Sequence, residues 1–327
     1  MNKLCTINEV IELINQQHVL LLTGDEKTLK NLPKGKWIAG TGPYFMDEIG
    51  KISNDMIFVD DFTEYAIDTK IELFDETNIQ QIAANSFENG FTLITLPIGA
   101  KVYYEFSNNS LTYDNIFDNH VVGYVSGCLF ENIGKVQPKT ANGLDGQLSD
   151  TKAAVMHIKL PDNLIARAEI FNFDTIHPNA PKITFPKTSF FQTDCIVDGK
   201  PRNIAEWFTE IKEQKGYYPQ LITDINGALI NRDVKVVDMQ KKEVEFFSPV
   251  YEGDVYGYVK ENDNYLQCFN DRLANKKRVI ACLSCVSYFM AGKFEGRKVN
   301  FNGVYAFGEI GYQLLNKTIV TLELDEV

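Results

Sequence analysis

The pattern Gly-x-Tyr-x-x-x-Glu-Ile-Gly occurs twice in this chain, once near each end. It reads Gly42-Pro-Tyr44-Phe-Met-Asp-Glu48-Ile49-Gly50 and Gly303-Val-Tyr305-Ala-Phe-Gly308-Glu309-Ile310-Gly311. The shared letters carry little weight alone; their setting carries more. Each copy begins 24 residues after the start of a short apolar run (18 to 42 and 279 to 303), His18–Leu22 in one case and Val279–Leu283 in the other. Each is followed by a β-rich run, Met56–Val59 and Thr318–Leu324. A strand, a connector, a glycine-framed glutamate and another strand, met twice, predict two related lobes.

A chain of 327 residues has room for two ordinary domains with a substantial core. Hydrophobic residues at 44% and charged residues at 23% place it among globular rather than disordered chains. Its formal net charge of −12 repels phosphate backbones and anionic lipid, so neither nucleic acid nor a membrane is the expected partner. The densest basic run, Lys276-Lys277-Arg278, reads as a solvated face. The N-terminal residues lack a basic segment followed by an apolar one, and no apolar stretch reaches the roughly 20 residues needed to cross a bilayer. Six irregularly spaced cysteines do not form a disulfide framework. The expected location is cytoplasmic.

Local patterns predict an α+β fold: two pseudo-repeated lobes with mixed β-sheets covered by helices. Thr6 and Glu9 form a capping-box pattern ahead of Val10, Ile11 and Ile14. Helices are expected over 75–88, with Ile79, Ile82, Ala83 and Phe87 on one side, over 203–215 and over 265–273. The Gly-, Asn- and Asp-rich stretch 137–150 reads as a mobile loop. His177-Pro-Asn-Ala-Pro181 interrupts the strand pattern and sets the expected boundary, with lobes at 1–178 and 179–327.

The glycine frames supply the candidate site. Gly308 beside Glu309 offers a backbone able to take positive φ and approach a bound molecule closely. Tyr44 and Tyr305 each offer a flat apolar face and a hydroxyl. The competing reading is a tight turn whose glutamate caps its own backbone. Cys282 and Cys285 have Cys-x-x-Cys spacing, but no second pair follows to complete a zinc site, and in a strand their sulfurs diverge. They read as packing cysteines, Cys285 being the one to test as a thiol. His18, His120, His157 and His177 are scattered, with no metal-ligand spacing. Nucleophile-elbow, Walker and dinucleotide fingerprints are all missing from the sequence.

The second half resembles the C-terminal part of the FIST domain, a two-part sensory module. The matching stretches are Gly199-Lys-Pro-Arg-Asn-Ile-Ala-Glu-Trp207, the run ending at Ser284-Cys285, Gly303 to Gly311, and Asn316-Lys-Thr318. The first half resembles the N-terminal part through Leu20–Thr23 and Trp37–Thr41, and the whole chain looks like an uncharacterised bacterial branch. The resemblance implies a sensor of small polar, amino-acid-like ligands that signals through a separate partner protein. Val286-Ser-Tyr-Phe stands where the family carries an arginine after the cysteine. The expected ligand-binding residues are Tyr305 for stacking, Glu309 for an amine or hydroxyl, Asn316 as a two-way hydrogen-bonding group, Gly308 and Cys285, with Tyr44 and Glu48 as first-lobe counterparts. Two alternatives are an enzyme using Cys285 as nucleophile and Glu309 as base, and a haem-binding sensor. The cofactor is left open.

Overall fold

The computed structural model describes residues 2–274, 276 and 278–327. Lys277, the middle of the basic run, lies outside them. The described chain divides into two compact units, one comprising Met1–Ile170, Asn264–Gln313 and Ile319–Val327, the other Phe171–Asp263 and Leu314–Thr318.

The first unit opens with β1 (Asn2–Cys5), α1 (Ile7–Asn15), β2 (Leu20–Gly24), α2 (Glu26–Leu29), β3 (Trp37–Thr41), β4 (Tyr44–Met46), β5 (Gly50–Ile52) and β6 (Ile57–Asp61). The expected capping box is present: Thr6 accepts from the Glu9 amide and Glu9 reaches back to the Thr6 amide. Val10 and Ile14 of α1 pack with Leu20, Leu22, Trp37 and Val59. Strands β2 and β3 run parallel, β6 lies antiparallel on the other side of β2, and β1 borders β6. The order is β1-β6-β2-β3.

The same arrangement follows again in β7 (Asp68–Phe74), β8 (Gly90–Pro97), α3 (Lys101–Asn109), β9 (His120–Ser126), β10 (Thr140–Asn142), β11 (Leu148–Ser149) and β12 (Ala153–Lys159). Here β8 and β9 are parallel, β12 is antiparallel to β8, and β7 borders β12. The helix expected over 75–88 is reduced to a single 3₁₀ turn, Ile79–Gln81. Ile79, Ile82 and Ala83 are buried and Phe87 half-buried without a regular helix, and Asn78 accepts the Asp75 amide with its side chain. The expected mobile loop at 137–150 holds β10 and β11 as a paired hairpin.

After β13 (Leu164–Phe171) the chain enters the second unit. That unit contains β14 (Thr175–Ile176), β15 (Ile183–Thr184), β16 (Ser189–Gln192), β17 (Asp194–Val197), β18 (Lys200–Asn203), α4 (Ile204–Lys215), β19 (Leu221–Ile225), β20 (Ala228–Arg232), β21 (Val234–Asp238), β22 (Glu243–Val250) and β23 (Tyr256–Lys260). Helix α4 matches the expected span: Asn203 caps its start and Gly216, at φ +84°, ends it. Trp207, Phe208 and Ile211 pack in one core with Leu221, Phe246 and Tyr256.

The chain then returns to the first unit through α5 (Tyr265–Leu273), β24 (Val279–Cys285), α6 (Val286–Ala291), β25 (Gly303–Ala306), β26 (Glu309–Gly311) and β28 (Ile319–Glu326), while β27 (Gln313–Leu315) passes into the second unit at Leu314. Again two strands, β24 and β25, run parallel and β28 lies antiparallel to the first. The order β13-β28-β24-β25 repeats the other two. The basic run flanking β24 pairs with carboxylates: Lys276 with Glu169 and Glu323, and Arg278 with Glu326 at 2.7 Å. Burial pushes Glu169 up, but Lys276 and Arg272 hold its carboxyl below the usual range.

The α+β class with mixed sheets is as expected, but the repeat is threefold and lies wholly in the first unit. The copies also exchange strands cyclically. The β10–β11 hairpin of copy two extends the sheet of copy one at β3, β26 of copy three pairs with β9 of copy two, and the β4–β5 hairpin of copy one pairs with β25 of copy three. The register is equivalent each time. Phe45, Ala141 and Ile310 oppose Val304, Ala39 and Gly123, while Met46, Asn142 and Gly311 oppose Gly303, Ile38 and Val122. The expected boundary at 178/179 is therefore corrected. The proline-rich stretch it rested on lies inside an insertion, the second unit, which interrupts copy three between β13 and α5.

Candidate functional site

Open α/β sheets gather ligands outside the carboxyl ends of their parallel strands. In the first unit that place is a cleft lined by Asp25 and Glu26 after β2, Thr41 to Pro43 at the end of β3, Asn54 before β6, and Gly127 to Leu129, Asn132, Val136 and Gln137 after β9. The cavity itself is small, about 60 Å³, and opens to solvent.

Its walls are tied together by hydrogen bonds. The Gly127 amide donates to the Thr41 carbonyl at 2.7 Å, the Gly42 amide to the Gly24 carbonyl at 3.1 Å and the Thr41 amide to the Lys139 carbonyl at 2.8 Å, while the Lys139 amide donates to the Thr41 side-chain hydroxyl at 3.0 Å. Below it, the buried Tyr124 hydroxyl receives Thr23 Oγ1 at 2.7 Å and the Gly40 amide at 2.9 Å, and donates to the Leu22 carbonyl at 2.7 Å. This approach requires glycine at position 40, since a Cβ there would lie 2.7 Å from both the Tyr124 ring and Ser126 Oγ. Burial pushes the Tyr124 phenol well above its ordinary range, so it stays protonated. Tyr124 is in no motif that the sequence singled out, and Gly40 is there only as part of the Trp37–Thr41 stretch that carries the resemblance. Their signal was a tyrosine and a glycine in β-runs, which strands carry routinely.

The lining is rich in acceptors. Asp25 Oδ1 caps α2 by accepting the Lys27 amide at 2.9 Å, which leaves its second oxygen outside that bond. Glu26 is paired with Lys139 at 2.7 Å. Asn54, Asn132 and Gln137 add amides, and Gln137 is anchored by donating to the Ile98 carbonyl at 2.9 Å. Cys128 is the one thiol in the lining, and burial raises its pKa. The lining holds no histidine.

The residues expected from sequence fall in several places. Tyr44 is buried beside the cleft's 127–132 wall, where its hydroxyl accepts the Phe130 amide at 3.0 Å and its ring packs on Phe130 and Phe289. Gly308 accepts the Val125 amide at 2.9 Å, and Glu309, fully buried, opposes Tyr124 across β26 and β9. The preceding Phe307 stacks on Phe130 and sits where any side chain at Gly127 would clash. The positive turn expected of Gly308 is replaced by nearly extended backbone at φ +158°. These three residues support the cleft's wall without lining it.

Tyr305 is enclosed by Phe269, Phe289, Phe294 and Phe301, so its ring is occupied by the protein's own core. Cys285 is 2% exposed at the start of α6, with its sulfur 3.3 Å from Ser287 Oγ. Cys282 is equally enclosed, and burial pushes its thiol far up. Both cysteines are thus almost wholly buried, and Cys282 also borders a surface pocket with Asn2, Lys276 and Phe301. Asn316 belongs to the second unit, where its Oδ1 accepts the Asp233 amide at 2.9 Å. Glu48 is exposed at the β4–β5 turn and borders a shallow groove with Asp47, Ile49 and Glu295. The expected cluster is thus dispersed.

The histidines have protein partners: His18 with Asp61, His120 with Tyr312 and the Ala166 carbonyl, His157 with Thr92 and Glu72, and His177 with the Asn179 amide. Among the described residues no group of three His, Cys, Asp or Glu is placed to hold a metal ion, and no helix is long and apolar enough to cross a membrane.

The sequence model of one family matches residues 5–325, nearly the whole chain. The chain belongs to DUF6976, a family of unknown function. No curated protein matches it. The DUF6976 match spans all three copies and the insertion together, so they form one inherited unit of sequence.

Proposed function

We infer that this DUF6976 protein binds a small polar solute carrying an ammonium group, in the cleft at the ends of β2, β3 and β9, as a sensor rather than as a catalyst. The observation behind this reading is the lining. Asp25 presents a carboxylate, Glu26 is already matched by Lys139, and three amides offer further oxygens. Such a set favours a cationic, hydrogen-bonding ligand, the chemistry of an amino acid or amine. The sensory role implied by the resemblance to FIST domains agrees with a site that has binding groups but no paired nucleophile and base. A cytoplasmic location and a separate signalling partner complete the proposal.

Thermal-shift screening and calorimetry with amino acids, amines and their deaminated counterparts test it. An amine-bearing ligand should bind, its deaminated analogue should not, and Asp25→Asn should weaken binding about tenfold, since asparagine keeps the helix cap and loses the charge. Equal binding of both ligand classes, or an unchanged affinity in Asp25→Asn, removes the cleft from the reading.

A further inference from the structure

Donors for an anion are scarce in the cleft. Among the described residues its lining holds neither lysine nor arginine. The cations beside it are engaged, Lys139 with Glu26 and Lys27 with Asp55, both at 2.7 Å. Main-chain amides around it are engaged too: Lys27 donates to Asp25 Oδ1, Gly42 to the Gly24 carbonyl and Gly127 to the Thr41 carbonyl. The side-chain donors that line it at Asn54 and Asn132 are neutral. A zwitterion with its ammonium against Asp25 would hold its own carboxylate near that anion, with no cation to match it.

The wall after β9 has a different character. Phe130, Ile133 and Val136 are 41%, 54% and 44% exposed, three large apolar side chains within seven residues (130 to 136). Their exposure is fixed by the backbone. The Asn132 amide donates to the Leu129 carbonyl at 2.9 Å, and the Lys135 and Val136 amides donate to the Asn132 carbonyl at 2.9 and 3.0 Å. At the base of the wall the Phe130 amide meets the Tyr44 hydroxyl and the Phe130 ring stacks on Phe307. Apolar groups held in the open on a tied segment mark a surface that covers something. Leu129 and Val136 also line the cleft, so an apolar ledge runs from the Asp25 cavity to the outside.

Resting on the reading of the cleft as an ammonium site, we infer that its ligand is an unbranched aliphatic amine with no carboxylate beside the nitrogen. The ammonium lies against Asp25, in a cavity of about 60 Å³ that opens to solvent, and the chain leaves over Leu129 and Val136. Charge complementarity selects the head and the ledge selects the chain.

Calorimetry with pentylamine, norleucine and methylamine at pH 7 tests this assignment. Norleucine is pentylamine with a carboxylate on the carbon that bears the nitrogen; methylamine keeps the ammonium without the chain. Pentylamine should bind about tenfold more tightly than norleucine and about fivefold more tightly than methylamine. Val136→Thr, a change at an exposed position that nearly keeps the side-chain volume, should narrow the gap between pentylamine and methylamine about twofold. Norleucine or methylamine binding as tightly as pentylamine overturns the aliphatic class and leaves an ammonium site standing. A gap unaltered in Val136→Thr overturns the path of the chain. Binding by none of the three overturns the ammonium site itself, and this assignment with it.

Discussion

Copy one and copy three carry the same nine-residue frame, yet its letters land in different structural places. In copy one, Tyr44 opens the exchanged hairpin and Glu48 is exposed at its turn. In copy three, Tyr305 is in the central strand β25 and Glu309 is the buried first residue of β26. Register settles which positions correspond. One residue before Phe45, Ala141 and Ile310 come Tyr44, Thr140 and Glu309, so Tyr44 corresponds to Glu309, four residues away from its partner in the frame (305 to 309). The difference teaches that matching letters revealed a true repeat while misplacing its alignment. Side-chain identity drifted between copies; hydrogen-bonded pairing did not.

The comparison breaks most readily at the two glutamates. Glu309→Ala should destabilise the protein by about 2 kcal/mol, because it leaves a cavity where a fully buried side chain stood at the start of β26, whereas Glu48→Ala should stay within about 0.5 kcal/mol. Urea unfolding of both variants measures this, and equal effects would restore the frame as the true alignment.

A second contrast sets Asp60 against its counterparts. Asp60 opposes Leu21, Met156 opposes Leu93 and Thr321 opposes Cys282, all at equivalent places in β6, β12 and β28. Asp60 is the one carboxyl among the three. Burial holds it well above the carboxylate range, and Oδ1 has no hydrogen-bond partner among the described residues. With its folded pKa raised, its contribution is present at low pH and is lost as pH rises past 3.8 toward that folded value. Asp60→Thr, the residue of copy three, should therefore stabilise the protein by about 2 kcal/mol near pH 7.5 and by less near pH 4. Melting curves at the two pH values check the sign; a gain that shrinks with rising pH contradicts it.

The tyrosines sharpen the same point with smaller effects. Tyr44→Phe deprives the Phe130 amide of its acceptor and should cost about 1 kcal/mol. Tyr305→Phe should be neutral or slightly stabilising, because that hydroxyl has no hydrogen-bond partner among the described residues. Reversal of this order in denaturant titrations would mean that Tyr305 hydrogen-bonds a solvent molecule or solute.

The smallest contrast lies at the hydroxyls of Thr95 and Ser284, which hold equivalent places opposite Tyr124 and Tyr305. Thr95 donates to the Ala39 carbonyl at 3.0 Å, while Ser284 Oγ has no hydrogen-bond partner among the described residues. Thr95→Val should cost about 1 kcal/mol and Ser284→Ala about half that or less, as measured by the same unfolding titrations.

Local rules were legible where one segment answers to itself. The Thr6–Glu9 box and the helix expected over 203–215 needed only neighbouring residues, and both are present, the helix as Ile204–Lys215. The 75–88 stretch failed because an apolar face does not require a helix when turns and burial satisfy the same residues. Among the expected site residues, Tyr44, Gly308 and Glu309 converge on the cleft's supporting wall, while Tyr305 and Cys285 lie in the core and Asn316 in the second unit. Of the cleft lining, only Thr41 to Pro43 and Gln137 lay in stretches that the sequence singled out. Asp25, Thr41 and Gly127 are over a hundred residues apart from first to last (25 to 127), and each alone resembles an ordinary turn residue.

The sequence by itself determined the mixed α+β character, the reuse of a strand–connector–strand element and the ends of several helices, because propensity, capping and alternation act within a few residues. The tertiary structure decided that the copies number three, that they trade hairpins in a cycle, that another unit is inserted in the third, and which side chains face the cleft. Those outcomes rest on backbone pairing between distant strands, and a hydrogen bond between main chains records no letter in the sequence.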